Sequence, residues 1–192
     1  MDPDRIDNST AMMNSTEKLT GFTRPGRYTY SIYRRGFGEG RMGWSVTRTS
    51  DTEVAVGFHY ELGAEVIQET LTGTPENVTD ELLHTSAEPF LRTAFYPSIT
   101  PFSEEGDLTV GDRLALPSER GEASVEITGT VVHGDMECFS STWRFDDVTR
   151  YRDYVSPETG LVFSAISYPS EGGEPLLTIT LVEDRSTIES SD

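Results

Sequence analysis

Residues 54–62 read VAVGFHYEL, and apolar side chains occupy every second position of this stretch. Successive side chains of a β-strand point to opposite faces of a sheet, so the alternation predicts a strand with one buried and one solvated face. A strand of this kind is stable only beside partner strands, and the flanking sequence supplies them.

The same period of two returns in short segments along the chain, with turn residues between them. Consecutive strands joined by short turns favour antiparallel pairing over βαβ units. The predicted strands are Tyr28–Ile32, Met42–Val46, Val54–Leu62, Glu65–Thr72, Leu108–Leu116, Ala123–Val131, Met136–Phe145, Tyr151–Val155, Leu161–Tyr168 and Leu177–Leu181.

One segment departs from the strand pattern. Thr74-Pro75-Glu76 offers a threonine N-cap followed by proline at the first helical position. Apolar residues then follow at helical spacing, and Glu88–Phe95 could add a second short turn or helix. We therefore expect a mainly β (α+β) fold, in which a helical insertion over residues 75–95 covers one face of a curved antiparallel sheet or incomplete barrel of nine or ten strands.

The predicted domain organisation is simple. Residues 1–21 are polar, lack strand or helix periodicity and are expected to be a flexible lead-in. Residues 22–185 are expected to form a single β-rich domain, and residues 186–192 a polar tail.

The charge of the chain is strongly negative. Its 192 residues include 33 acidic and 15 basic residues, a formal net charge of −18. Such a surface repels phosphate, which argues against nucleic acid and anionic membranes as partners. Aromatic residues make up 10% of the chain, so the charge belongs to a folded protein and not to a disordered one.

The basic residues are almost all arginine, since Lys18 is the one lysine. Scarce lysine beside abundant carboxylates resembles the proteins of salt-loving archaea. In molar salt the Debye length is about 3 Å, so neighbouring carboxylates barely repel one another. We interpret the composition as salt adaptation; an ordinary acidic protein with a biased choice of base is the alternative.

Three observations bear on location. No apolar run reaches the roughly 18 residues of a membrane span, and the first 21 residues contain no apolar signal segment. The chain has three asparagines, and each opens an N-x-S/T triplet: Asn8, Asn14 and Asn77. Such triplets are glycosylation acceptors, so we expect an extracytoplasmic or cell-surface protein, with a cytoplasmic one as the alternative.

The order of these features resembles LolA-like lipoprotein carriers and related archaeal surface lipoproteins. The matching segments are the opening strand Gly26–Tyr30, the helix-and-proline insertion Thr74–Pro101, the turn Gly111–Leu114 and the hairpin Tyr154–Leu161. The resemblance implies a curved, incomplete barrel that binds lipid-like molecules on its concave face, and it implies no catalytic residue. The chain departs from the family pattern because it has no lipobox cysteine near its start and a short helical section.

We expect most aromatic side chains of the strands to pack in the hydrophobic core. In an incomplete barrel some of them would also line a cavity between sheet and helix, where they would contact a ligand. The predicted ligand-binding residues are Trp44, Phe58, Tyr60, Trp143 and Phe163.

Several motifs carry weaker chemical interpretations. Gly38, Gly40 and Gly43 have the G-x-G-x-x-G spacing of the dinucleotide-binding fingerprint. That fingerprint requires a helix after the last glycine, whereas the residues that follow here show a strand pattern. We therefore interpret Gly36–Gly43 as a flexible hairpin loop. Three flanking arginines, Arg34, Arg35 and Arg41, could bind an anion or an acidic partner, although local charge balance is the more common explanation.

His133, Asp135 and Glu137 share strand parity and could present three ligands to a metal, but His133-Gly134-Asp135 is also typical of a turn. Cys138 is expected to be a buried, unreactive thiol. We accordingly predict no metal, no cofactor and no catalytic residue.

The function predicted from sequence is that of a non-enzymatic, monomeric binding module of a halophilic archaeon, which holds an apolar or lipid-like ligand. One alternative is an interaction or scaffold domain that meets a surface protein and has no ligand cavity. A second is a hydrolase, which would need a nucleophile hydrogen-bonded to His59, His84 or His133.

Overall fold

The computed structural model describes residues 21–102, 108–116, 121–133, 136–170 and 172–186, with the backbone alone for 183–186. Ten described strands pair in antiparallel fashion, and two helices interrupt them. The predicted fold class, a mainly β chain with a helical insertion, is confirmed. The predicted lead-in, apart from Gly21, and the predicted tail after Ser186 lie outside the described residues.

The chain order of the elements is as follows. The helices are α1 (Pro75–Leu82) and α2 (Glu88–Phe95). The strands are β1 (Gly26–Arg34), β2 (Gly38–Arg48), β3 (Val54–Leu62), β4 (Glu65–Gly73), β5 (Arg113–Leu116), β6 (Ala123–His133), β7 (Met136–Phe145), β8 (Val148–Val155), β9 (Val162–Ser167) and β10 (Leu177–Ser186). None of the helices within these described ranges is long and apolar enough to cross a membrane.

Contacts divide the described chain into two compact units. The first unit contains residues 21–95 and 177–186, with its strands in the order β4-β3-β2-β1-β10. The second unit contains the described residues of 96–176, with its strands in the order β9-β8-β7-β6-β5. The single domain expected over 22–185 stays a prediction.

Aromatic side chains from three strands form the core of the first unit. Strand register places Trp44 between Tyr28 and Phe58, and Met42 between Tyr30 and Tyr60. All six side chains are buried, because the period of two puts them on the same covered face of the sheet. The polar side chains of the same strands, such as Glu61, lie on the opposite, exposed face.

Two short helices cover this face. The Thr74 hydroxyl accepts a hydrogen bond from the Asn77 backbone N–H at 3.3 Å and caps α1, as the sequence predicts. In α2, Phe90 meets Tyr60 with ring centroids 6.0 Å apart, and Phe95 meets Trp44 at 5.2 Å. The space between sheet and helices in this unit is therefore lined by aromatic rings in contact.

The second unit differs from prediction before β5. Leu108 and Val110 were expected in a strand that continues to Leu116, but the strand begins only at Arg113. The Asp112 carboxylate accepts hydrogen bonds from the Thr109 backbone N–H and hydroxyl, both at 2.8 Å. This side-chain turn competes with strand pairing, which explains why the expected strand is shorter.

The β1–β2 hairpin also differs from prediction. The loop expected over Gly36–Gly43 is only a turn, because β2 already begins at Gly38. A Cβ atom on Gly40 would lie 2.1 Å from the Glu61 carbonyl oxygen of β3, so close strand approach requires a glycine there. The β8–β9 hairpin agrees with prediction: Ser156 N–H bonds to Leu161 O at 3.0 Å across its turn.

Candidate functional site

A fully buried carboxyl group lies on the covered face of the second unit. The inward positions of β8 are Thr149, Tyr151, Asp153 and Val155, all of them buried. Asp153 has no exposed surface, although an unpaired buried carboxylate is among the most costly groups in a protein. Its surroundings must therefore compensate for the water it has lost.

Hydrogen bonds from two serines supply that compensation. Asp153 Oδ2 accepts from the Ser98 backbone N–H at 2.8 Å and from the Ser98 hydroxyl at 2.7 Å. Asp153 Oδ1 accepts from the hydroxyl of Ser141, its cross-strand partner on β7. Ser98 belongs to the segment between α2 and the short helical turn Thr100–Phe102, so Asp153 attaches this segment to the sheet.

Burial dominates the protonation equilibria here. Loss of water raises the pKa of Asp153, and the hydrogen bonds from Ser141, Ser98 and Tyr151 oppose that rise. Burial also raises the pKa of Tyr151 well above its ordinary value, and the negative charge of Asp153 and the hydrogen bond to it add to the effect. No cation contributes to either pKa shift, and burial favours the neutral form of both side chains.

Two further polar atoms are buried beside Asp153. Trp143 Nε1 has no hydrogen-bond partner in the described part of the chain, whereas the Tyr151 hydroxyl interacts with the Asp153 carboxyl group. Trp143 and Tyr151 are cross-strand neighbours on β7 and β8, next to the Ser141–Asp153 pair. The site is therefore a closed polar patch, the Asp153 cluster, formed by Ser98, Ser141, Trp143, Tyr151 and Asp153.

Apolar side chains form a second cluster in this unit. Phe102, Val125 and Ile127 are buried together. The apolar residues packed against them are only partly buried: Leu108, Leu114, Leu116 and Phe139. Partly exposed apolar side chains around a small core leave area that a ligand or partner could bury.

The predicted ligand-binding residues fall into both units. Trp44, Phe58 and Tyr60 lie in the first unit, where Trp44 also contacts Phe22 at 5.8 Å between ring centroids. Trp143 and Phe163 lie in the second unit, and both are buried. Only Trp143 belongs to the Asp153 cluster; ligand contact by all five stays a prediction.

The three histidines contact a carboxylate, a backbone carbonyl and an aromatic ring. His59 Nε2 lies 3.9 Å from a Glu61 carboxylate oxygen, and His84 Nδ1 lies 2.6 Å from the Asp80 carbonyl oxygen. The His133 ring meets the Phe163 ring at 4.7 Å between centroids. The contacts described for these side chains thus offer no hydroxyl or thiol that a histidine could deprotonate.

The candidate metal ligands do not form a described site. In the ranges that the structure covers, no three His, Cys, Asp or Glu side chains come together around a metal position. Asp135 lies outside those ranges, while His133 and Glu137 are exposed near the ends of β6 and β7. Cys138 is buried as expected, and burial raises the pKa of its thiol, which disfavours the reactive thiolate.

The arginines of the β1–β2 hairpin stand beside carboxylates and an aromatic ring. Arg41 pairs in register with Glu61 of β3, and the Arg34 guanidinium lies 4.9 Å from the centre of the Phe37 ring. Both Arg34 and Glu65 act electrostatically on Tyr60. This arrangement is typical of local charge balance.

One predicted glycosylation acceptor is described. Asn77 is exposed in the first turn of α1, whereas Asn8 and Asn14 lie outside the described residues. The hydroxyl of Thr79, the third residue of that triplet, is buried and donates to the Pro75 carbonyl oxygen at 2.7 Å. A glycan at Asn77 would therefore have to be attached before α1 folds.

Sequence reasoning missed most of the Asp153 cluster. Its one visible indication is that Asp153 shares strand parity with Tyr151 and Val155, an inward position where an acidic residue is unexpected. Ser98, which lies 55 residues away along the chain, gives no such indication. Only the fold brings the two together.

The fold and the site define a class without naming a reaction: a mainly β protein, with ten antiparallel strands among its described residues and a buried, hydrogen-bonded carboxyl group. No protein-family model matches the chain, and no curated protein sequence matches it.

Among solved structures, the chain is similar to MucB in complex with MucA(peri), at 10% identity and a TM-score of 0.48, over 85% of this chain and 50% of that one. It is similar to MucB by itself at 9% identity and a TM-score of 0.48, over 88% and 56% of the two chains. The Pseudomonas aeruginosa MucA/MucB complex gives 11% identity and a TM-score of 0.48, over 88% and 54%. The chain thus spans about half the length of these proteins, and a likeness this distant assigns neither a family nor a function.

Proposed function

We propose that the protein is a non-enzymatic, extracytoplasmic binding module whose second unit holds an apolar or lipid-like ligand against its sheet. The observation that carries the proposal is the incomplete cover of the apolar cluster around Phe102, Val125 and Ile127. In the first unit, by contrast, Phe90 and Phe95 of α2 pack their rings against the aromatic residues of the sheet. An apolar ligand would complete the burial of the neighbouring side chains and gain about 25 cal/mol for each Å² removed from water.

A dye-binding titration tests this proposal. N-phenyl-1-naphthylamine is uncharged and fluoresces in apolar surroundings. We expect it to bind the folded protein in molar KCl, and we expect Phe139→Ser to weaken binding about tenfold, equivalent to about 1.4 kcal/mol of lost apolar contact. Ile67→Ser is the matched control, because Ile67 is a partly buried apolar strand residue of the first unit.

Two results would contradict the proposal: no dye binding to the folded wild type, or equal loss in the two variants. Circular dichroism of each variant establishes that it is folded.

If the dye does not bind, the alternative is an interaction domain, and the edge strand β4 is the observation that favours it. Strand β4 pairs with β3 alone among the described strands, and it presents nine regular residues without proline or lysine, including the exposed Val66.

The extracytoplasmic location is part of the proposal. It is supported by the three N-x-S/T triplets and by the exposure of Asn77 on α1. Mass spectrometry of the protein from its natural source tests it, and a hexose-bearing peptide that contains Asn77 is the expected result.

A further inference from the structure

We propose that the free edge of β4 binds an extended segment of a partner protein, in which a basic residue has an apolar residue two positions away on each side. The segment adds a strand to the sheet and places its basic side chain beside Glu69. This inference names the partner for the β4 edge described above. It does not depend on a ligand in the second unit, so the two proposals can fail separately.

The edge of β4 that faces away from β3 carries a row of backbone groups open to pairing. Among the described strands β4 pairs with β3 alone, and its register is continuous from Glu65 to Gly73. The backbone hydrogen bonds that join turns, loops and caps in the described part of the chain use no residue of this strand. An extended peptide can therefore form main-chain hydrogen bonds along the edge.

Strand β4 lacks most features that keep an edge strand from pairing with another chain. It is nine residues long and contains no proline, no lysine and no register shift. By comparison, β5, which pairs with β6 alone among the described strands, has four residues. The protective feature that β4 does have is the charge of Glu69. A second copy of the chain would bring another Glu69 and another net charge of −18 to the edge, so a partner of opposite charge is favoured over self-pairing.

Strand register determines which side chains the added strand meets on the covered face of the sheet. Ile67, Glu69 and Leu71 lie opposite three buried residues of β3 and therefore share that face. Ile67 and Leu71 are partly buried, so an apolar residue across from each of them completes their burial.

The carboxylate of Glu69 selects the residue between those two apolar positions. Glu69 is exposed, and no hydrogen bond or ion pair within the described residues involves its side chain. The other acidic residue of β4, Glu65, already accepts a hydrogen bond from the Ser86 hydroxyl. A lysine or arginine directly across from Glu69 therefore pairs with the available carboxylate. The pattern apolar-x-basic-x-apolar reads the same in both directions, so it fits a parallel or an antiparallel added strand.

Hydrogen exchange of the full-length, ¹⁵N-labelled protein tests whether the edge forms backbone hydrogen bonds. In the free protein, every second amide N–H of residues 66–72 points away from β3 and should exchange rapidly with solvent. The probe is the capped peptide acetyl-Thr-Val-Thr-Arg-Thr-Val-Thr-amide, which carries the proposed pattern. At saturating concentration it should slow the exchange of those amides, as measured by NMR at a fixed KCl concentration.

Charge selection is measured with two further peptides that have glutamine or glutamate in place of the arginine. The arginine peptide should bind about 1.4- to 5-fold more tightly than the glutamine peptide, which is the range for an exposed ion pair, and the glutamate peptide should bind most weakly. Glu69→Arg should reverse this order.

Glu53→Arg is the matched control, because it makes the same change of charge at an exposed position in the loop before β3. It should keep the order of affinities that the wild type shows. If Glu69→Arg does not fold, Glu69→Gln is the second variant, and with it the arginine peptide should lose its advantage over the glutamine peptide.

Three results overturn the inference. The first is unchanged amide exchange in β4 at saturating peptide, and the second is equal affinity of the wild type for all three peptides. The third is slow exchange of all β4 amides in the free protein, because another part of this chain or a second copy would then already occupy the edge. Dye binding tests the proposed function by itself, so each of these results leaves that proposal standing.

Discussion

At the scale of single residues, Asp153 places an ionisable carboxyl group at an inward strand position. Strand alternation normally fills such a position with an apolar side chain. Its environment resolves the conflict with hydrogen bonds from Ser98 and Ser141, but burial still raises its pKa. A raised pKa means that the folded state binds a proton more tightly than the unfolded chain. Protonation of Asp153 is therefore coupled to stability.

The sign of that coupling gives a prediction for Asp153→Asn. In the wild type the folded state holds more protons than the unfolded state between the ordinary Asp pKa of about 4 and the raised value. The contribution of Asp153 to the free energy of unfolding thus falls as the pH rises through this window and is constant above it. Asp153→Asn should abolish this decrease in the free energy of unfolding with rising pH. Urea unfolding at fixed KCl concentration and a series of pH values measures the difference.

The control for Asp153→Asn is Asp51→Asn, a change of the same chemistry at an exposed loop position. Asp51→Asn should preserve the pH profile of the wild type. Parallel profiles for the wild type and Asp153→Asn would contradict the coupling.

At the scale of elements, local sequence and local structure agree best where the stabilising contact is itself local. The Thr74 cap and Pro75 start of α1 are read directly from three adjacent residues. The β-strands follow from alternation over a few positions. The strand expected at Leu108 fails for an equally local reason, because the Asp112 side chain bonds to Thr109 and forms a turn there.

Removal of the α1 cap has a measurable cost. Thr74→Ala deletes the hydroxyl that accepts from the Asn77 N–H and should lower the free energy of unfolding by about 0.5–2 kcal/mol. Thr74→Ser keeps a capping hydroxyl and should recover most of the loss. Chemical denaturation of the three proteins measures this, and equal stability of Thr74→Ala and the wild type would refute the role of the cap.

At the scale of the whole molecule, the net charge of −18 dominates the response to solvent. The Debye length falls from about 10 Å at 0.1 M salt to about 3 Å at 1 M, so repulsion between exposed carboxylates weakens as salt is added. We expect the urea midpoint of unfolding to rise strongly between these concentrations of KCl. This is the stability behaviour that the composition predicts for a salt-adapted protein.

A charge-reduced variant separates repulsion from other effects of salt. Glu69→Gln, Glu137→Gln and Glu158→Gln together remove three negative charges at exposed positions. The salt dependence of the triple variant should be smaller than that of the wild type, and its stability at 0.1 M KCl should be higher. The same salt dependence in both proteins would show that carboxylate repulsion is not its source.

The sequence by itself determined most of the strands, their antiparallel arrangement, the capped helix and the buried thiol, because each depends on residue types a few positions apart. It did not reveal the Asp153 cluster, since the Ser98–Asp153 hydrogen bonds join residues 55 positions apart. It also did not separate Trp44, Phe58 and Tyr60 from Trp143 and Phe163, which alternate alike but belong to different units. Only tertiary structure decided these points, because strand register and the path of the covering segments set which distant side chains meet.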